Sequence, residues 1–167
     1  GFIAVVCGAL KGTKRMPEEM LAHLCKGIPY PIVLLGGPAE AEIGKKIEMQ
    51  AGSNTWNACG LFSLHESAAC IHKADVVISH DTGLMHIAAA FQKPILSIWG
   101  NTVPEFGMTP YLTTNPSQSY LAEVKGLSCR PCSKIGFETC PKKHFKCMRN
   151  QDLDLIAQKV RELASLS

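Results

Sequence analysis

The chain has 167 residues, 46% hydrophobic and 19% charged, which is enough apolar content for one well-packed domain and too short for a comfortable two. Its formal net charge of +3 suits a polyanionic small ligand but is too weak a balance for nucleic acid. No apolar run approaches the roughly 20 residues that span a bilayer.

Residue 1 is Gly rather than Met, and residues 2–7 already read as a buried strand, so the chain is expected to begin inside a longer protein. A loop over residues 8–15 follows, and Pro17 suits the first position of a helix over 18–26. Residues 31–35 form a second strand ended by Gly36-Gly37-Pro38, with a helix over 39–51. Residues 54–59 suit a short third strand. Ser63 with Glu66 three residues later is a capping-box signature for a helix reaching Lys73. A strand over 75–79, a helix over 82–91 and a strand over 94–99 come next. Residues 100–118 are rich in proline and threonine and read as loop, and 119–124 as a short strand. A cysteine-rich loop occupies 128–148, and a closing amphipathic helix over 151–166 places Leu153, Ile156, Val160 and Leu163 on one face. Strands separated by helices of ten to twelve residues imply parallel pairing through right-handed crossovers. The fold class is α/β, a Rossmann-like doubly wound parallel sheet, which binds ligands beyond the carboxyl ends of its strands.

The stretch "SHDTGLMHIAAA", residues 79–90, lies at such an end. Thr82, Gly83 and Leu84 carry the first free N–H groups of a helix, whose N-terminus bears roughly +0.5 charge and suits phosphate. Gly83 leaves the backbone open to a ligand. His86 shares a helix face with Thr82. The plainer alternative is that Asp81 caps the helix and His86 is a half-buried polar residue.

"SHDTGLMHIAAAFQKPILSIWGNT" resembles the signature of the heptosyltransferases, glycosyltransferase family 9. The resemblance extends to "VVCGALKGTKRMPEEM", "LLGGPAEAE", "LFSLHESAACIHKAD" and "CMRNQDLDLIAQKV", almost the whole chain. It implies the C-terminal, donor-binding half of a two-domain glycosyltransferase B enzyme, spanning residues 1–167. Thr82 and Gly83 would then hold the pyrophosphate of ADP-heptose, Asp81 would face the donor sugar, and His86 would lie close by. Lys14 would neutralise the diphosphate, its alternative being a solvated loop lysine. Glu40 would bind hydroxyls of the nucleotide sugar, or be only a first-turn helix acid. Phe62, Ser63 and Leu64 would pack against adenine. Gly8 and Ala9 would reach the phosphates through backbone N–H groups alone, because Ala9 and Leu10 stand where the family often offers hydroxyls. Met16 replaces a usual tryptophan. The carboxylate base that deprotonates the acceptor belongs to the family's N-terminal half, so no catalytic residue is expected in this chain. No cofactor is required for transfer. The implied acceptor is the lipopolysaccharide inner core, held by the N-terminal domain. The implied location is cytoplasmic, at the inner face of the inner membrane, with peripheral membrane contact at most.

Cys129, Cys132, Cys140 and Cys147, with His144 nearby, follow a Cys-x2-Cys pattern that can surround a structural Zn²⁺ ion; free thiols are the alternative. A stand-alone nucleotide- or sugar-binding module without transferase activity is the second functional reading, since the residues for the acceptor are out of view. A dinucleotide-dependent oxidoreductase is a third reading, disfavoured because no Gly-x-Gly-x-x-Gly follows any strand. A nucleic-acid role lacks a basic stripe and interleaved aromatics.

Overall fold

The computed structural model describes residues 1–165. Six strands form one parallel sheet in the order β3-β2-β1-β4-β5-β6, with β1 Ile3–Val6, β2 Ile32–Leu35, β3 Thr55–Asn57, β4 Val76–His80, β5 Ile95–Trp99 and β6 Ser119–Glu123. The helices are α1 Glu18–Lys26, α2 Ala41–Ala51, α3 Leu64–Lys73, α4 Gly83–Ala90, α5 Lys146–Arg149 and α6 Leu153–Ala164. No helix among the described residues is long and apolar enough to cross a membrane.

Strands β1 and β2 carry unbroken apolar runs because both faces of the sheet are covered. Ile3 and Val5 point into one core with Leu21 and Leu24 of α1, Ile47 of α2, and Ile156 and Val160 of α6. Ala4 and Val6 point into the other, against Ile71 of α3 and Met85 and Ala88 of α4. The two-residue period of β1 thus divides the molecule into its two layers.

Local chemistry sets the element ends. Pro17 stands one position earlier than expected, as the N-cap of α1, where its carbonyl accepts from the Met20 and Leu21 N–H groups. A 3₁₀ turn, Pro38–Glu40, precedes α2, because Glu40 turns its carboxylate back onto the Gly37 N–H at 2.9 Å. The third strand is shorter than its sequence suggests and the fourth runs one residue further, to His80. Ser63 and Glu66 form the expected capping box. The closing helix starts after Asp152, whose carboxylate accepts from the Leu155 N–H at 2.9 Å; Leu166, assigned to it above, lies outside the described residues. The cysteine-rich segment hides one short helix, α5, which buries Met148 in the first core.

The order reverses between β1 and β4. Chains leaving those two strands diverge to opposite faces, and a crevice opens between them at the carboxyl edge.

Candidate functional site

That crevice holds a cavity of about 600 Å³, within the range of ordinary small-ligand pockets. Gly8, Ala9, Glu40, Phe62, Leu64 and Thr82 of the expected ligand-binding residues line it. Lys14, Ser63, Asp81, Gly83 and His86 stand behind or beside this lining. Arg15, which the sequence reading passed over, is part of it.

The floor is the loop after β1, tied down at several points. The Arg15 Nε donates to the Ala9 carbonyl at 2.7 Å, and the Met16 N–H donates to His80 Nε2 at 3.0 Å. The Thr13 N–H donates to the Phe137 carbonyl at 2.9 Å, and the Phe137 N–H donates to the Thr13 hydroxyl at 2.8 Å. The cysteine-rich segment is thereby stitched to the floor of the crevice.

On the β2 side, Gly8 and Gly36 make room for Glu40. A Cβ on Gly8 would lie 2.8 Å from the Glu40 carboxyl carbon, and one on Gly36 would lie 2.8 Å from the Glu40 Cβ. The Ser63 hydroxyl is spent in its capping box, donating to Glu66 Oε2 at 2.7 Å and accepting from the Glu66 N–H at 3.3 Å.

Across the crevice, Thr82 is the N-cap of α4, yet its side chain makes no capping bond. The N-terminal positive end is left open. A Cβ on Gly83 would meet no heavy atom within 4 Å. His86 is exposed rather than half-buried. Asp81 does not cap the helix. Its Oδ2 lies 2.6 Å from Lys14 Nζ and accepts from the Thr102 hydroxyl at 3.2 Å, with Asp81 7% and Lys14 14% exposed. Lys14 is therefore no solvated loop lysine; it is one half of a largely buried ion pair.

Behind the ion pair sits Arg130, 6% exposed. It donates to Glu123 Oε2 and the Gly100 carbonyl, each at 2.6 Å, and to the Thr102 carbonyl at 3.0 Å. A continuous chain of contacts thus runs from Arg130 through Thr102 and Asp81 to Lys14. His80 lies at its other flank, fully buried, with Nδ1 near the Val6 and Gly8 backbones but without a well-formed partner. Burial first, then the Arg15 charge, push its ring down to about 4. It is neutral at neutral pH, which is what accepting the Met16 N–H requires.

The expected metal site at Cys129, Cys132, Cys140 and Cys147 does not appear as a ligand set. Among the described residues no group of three or more His, Cys, Asp or Glu is gathered around a common point. Cys129 Sγ lies 3.8 Å from His144 Nε2, whereas α5 carries Cys147 down toward the core, where it is 6% exposed. Burial, then the neighbouring Cys132 and Cys140 thiols, raise Cys147 to about 11. Burial followed by Cys129 and Cys140 raises Cys132. The mutual effects show that the four thiols share one neighbourhood.

Residues 1–139 match the family model for glycosyltransferase family 9 (heptosyltransferase). Among curated proteins the chain is similar to lipooligosaccharide heptosyltransferase 2 of Campylobacter jejuni, 28% identical over 142 residues that cover 81% of this chain and 42% of that protein. Among solved structures it is similar to E. coli ADP-heptose LPS heptosyltransferase II, with a TM-score of 0.78 and 21% identity over 99% of this chain and 46% of that one. It also resembles the dodecameric iron-containing heptosyltransferase TibC in complex with ADP-D-β-D-heptose, with a TM-score of 0.68 and 16% identity over 99% of this chain and 46% of that one. The structural likenesses establish the shared α/β fold, and the chain spans less than half the length of each of these relatives. The family match runs through the loop after β1, the β4–α4 turn and the first half of the cysteine-rich segment, so the chain belongs to glycosyltransferase family 9, the heptosyltransferases.

Proposed function

We propose that residues 1–167 form the donor-binding domain of a heptosyltransferase, and that the crevice takes ADP-heptose. The observation that carries this reading is convergence: the open N-terminus of α4 and the glycine-containing loop after β1 meet in one pocket where the strand order reverses. One similar structure is that of an ADP-heptose LPS heptosyltransferase and another is of a heptosyltransferase in complex with ADP-D-β-D-heptose, in keeping with that ligand. In this reading the diphosphate lies against Thr82, Gly83 and the Gly8–Ala9 backbone, adenine against Phe62 and Leu64, and the sugar toward exposed His86. Glu40 faces the nucleotide ribose, and Asp81 stays behind the phosphates in its ion pair with Lys14.

The reaction proposed for the whole enzyme is transfer of heptose to the lipopolysaccharide inner core at the cytoplasmic face of the membrane. An acceptor hydroxyl attacks the anomeric carbon and gives its proton to a carboxylate supplied from outside this chain, while the bond to the diphosphate breaks and ADP leaves with the electron pair. The part of this domain is to hold the donor and stabilise the charge gathering on ADP. No metal is needed for that: ADP affinity should be the same with and without a chelator, and a collapse on chelation would contradict it.

The reading is tested through Gly83. A methyl group there meets open space, and alanine favours the helix, so Gly83→Ala should match or slightly exceed the stability of the parent. It should nevertheless weaken ADP binding by about tenfold, because the added carbon occupies the space next to the phosphate-binding N–H groups. One melt and one calorimetric titration decide it, and an unchanged ADP affinity would leave α4 a plain structural helix.

A further inference from the structure

We propose that the lobe formed by residues 128–149 is a docking surface for an anionic lipid bilayer, with Lys134, Lys142, Lys143 and Lys146 meeting the headgroups and Ile135 entering between them. The surface lies outside the nucleotide crevice, and the inference holds whatever that crevice binds.

The positive charge of the molecule is concentrated here. Residues 128–149 hold six lysines and arginines against one acid, Glu138, a net +5, whereas the whole chain is only +3, so the remaining residues sum to −2. Arg130 is engaged by Glu123, Arg149 by Glu19, and Glu138 itself by Lys11. Among the described residues Lys134, Lys142, Lys143 and Lys146 form no salt bridge, and all four are exposed. The lobe folds back on itself and so holds them together. Cys129 Sγ lies 3.8 Å from His144 Nε2, and Cys132 and Cys147 each feel the other thiols. Every one of the four lysines stands within three residues of one of these cysteines.

Beside Lys134 the backbone presents an apolar side chain. The Ser133 hydroxyl accepts from the N–H groups of Ile135 and Gly136, at 3.1 and 3.0 Å, and Gly136 turns the chain at a φ of 105°. Ile135 is left 64% exposed at this turn, with Phe137 40% exposed beyond it. The backbone of Phe137 is bonded twice to Thr13, which ties the turn to the body of the domain. An ordered turn whose N–H groups are satisfied internally loses little on leaving water, and isoleucine gains by it.

The side chains favour lipid over other polyanions. The four unpaired cations are all lysines, point charges whose stems lie along apolar surface while the amine stays among the headgroups. Both arginines of the lobe, the planar groups suited to a fixed carboxylate or nucleic-acid phosphate, are held by carboxylates of the protein. A diffuse anionic layer over an apolar interior is the complement of lysines around an exposed isoleucine, and the two signals together make attachment stable.

Sedimentation with vesicles tests this. The protein should bind vesicles of phosphatidylcholine containing about one third phosphatidylglycerol and not pure phosphatidylcholine, and binding should fall steeply between about 0.1 and 0.5 M salt. Combining Lys142→Gln, Lys143→Gln and Lys146→Gln should weaken it by about 100-fold, close to fivefold for each charge. Combining Lys26→Gln, Lys45→Gln and Lys73→Gln, at exposed positions elsewhere, removes the same net charge and should change binding by less than about twofold. Ile135→Ser should weaken it by about tenfold. All these positions are exposed, so the melting temperatures should match the parent's. Binding to neither vesicle, which would leave the lobe to an acidic protein or a nucleic acid, overturns the proposal, and so does equal binding to both. Equal losses in the two triple variants overturn it as well, since net charge alone would then account for the effect. Parent-level binding by Ile135→Ser overturns the part given to the turn.

Discussion

Replacing Arg130 with methionine should lower the unfolding free energy by about 3–5 kcal/mol, the usual consequence of stripping one partner from a buried ion pair. The guanidinium is 6% exposed and its main partner Glu123 12% exposed, so little water is available to stand in for either. Loss of the arginine also orphans the Gly100, Thr102 and Val124 carbonyls it now serves. Urea denaturation provides the measurement. Methionine keeps much of the apolar stem, so the deficit reports the polar head and not a cavity. Adding Glu123→Gln to Arg130→Met should restore part of the loss by removing the uncompensated charge, as a double-mutant cycle would reveal. A deficit below about 1 kcal/mol would mean that solvent reaches this cluster more freely than its burial implies.

His80 governs the second large effect, a dependence on pH. Its folded value of about 4 lies below the ordinary 6.5, so the unfolded chain takes up the proton first as the pH falls. Stability contributed by the neutral ring is fully present above about pH 6.5, declines as the pH drops toward 4, and changes no further below that. The whole decline amounts to roughly 3 kcal/mol. The imidazolium also cannot accept the Met16 N–H, so the loop carrying Arg15 should loosen over the same interval. His80→Gln, which keeps an acceptor and removes the titration, should show a shallower fall in urea midpoint between pH 7 and 4.5. Parallel curves for the two proteins would refute the assignment.

Much of the fold was legible in sequence because its signals are local. Alternation of apolar runs with helix-length segments specified the parallel sheet, and Ser63 with Glu66 located the start of α3 to the residue. α5 was missed for the corresponding reason: four residues carry no periodicity, and only burial of Met148 makes them helical. In the site, the open start of α4 could be read from Thr82-Gly83, since helix N-termini and glycine are sequence-local facts. The charge state of the pocket could not. Lys14 and Arg15 are adjacent cations, and nothing in "TKRMP" says that one is neutralised by an aspartate 67 positions away while the other faces the cavity. The sequence left the four cysteines open between a metal and free thiols; what it could not show is that α5 carries Cys147 to 6% exposure while leaving it beside Cys132 and Cys140.

The position of β1 has a consequence for how the molecule assembles. It is the first strand of this sequence and also the middle of the sheet, pairing with β2 about 30 residues on but with β4 about 70 residues on, Ile3 opposite Ile32 and Val76. Strands β1 to β3 with α1 and α2 can therefore collapse as one block while the other flank of β1 remains a bare, fully apolar edge. Native structure arrives only when the block begun by β4 docks along that seam, making docking the slow step and the exposed edge the point most open to aggregation while it is pending. Gly8 and Thr82 lie at the end of this same seam, one from each block. A molecule lodged between them would act as a clasp across the joint, and its presence should be felt first in how slowly the two blocks come apart.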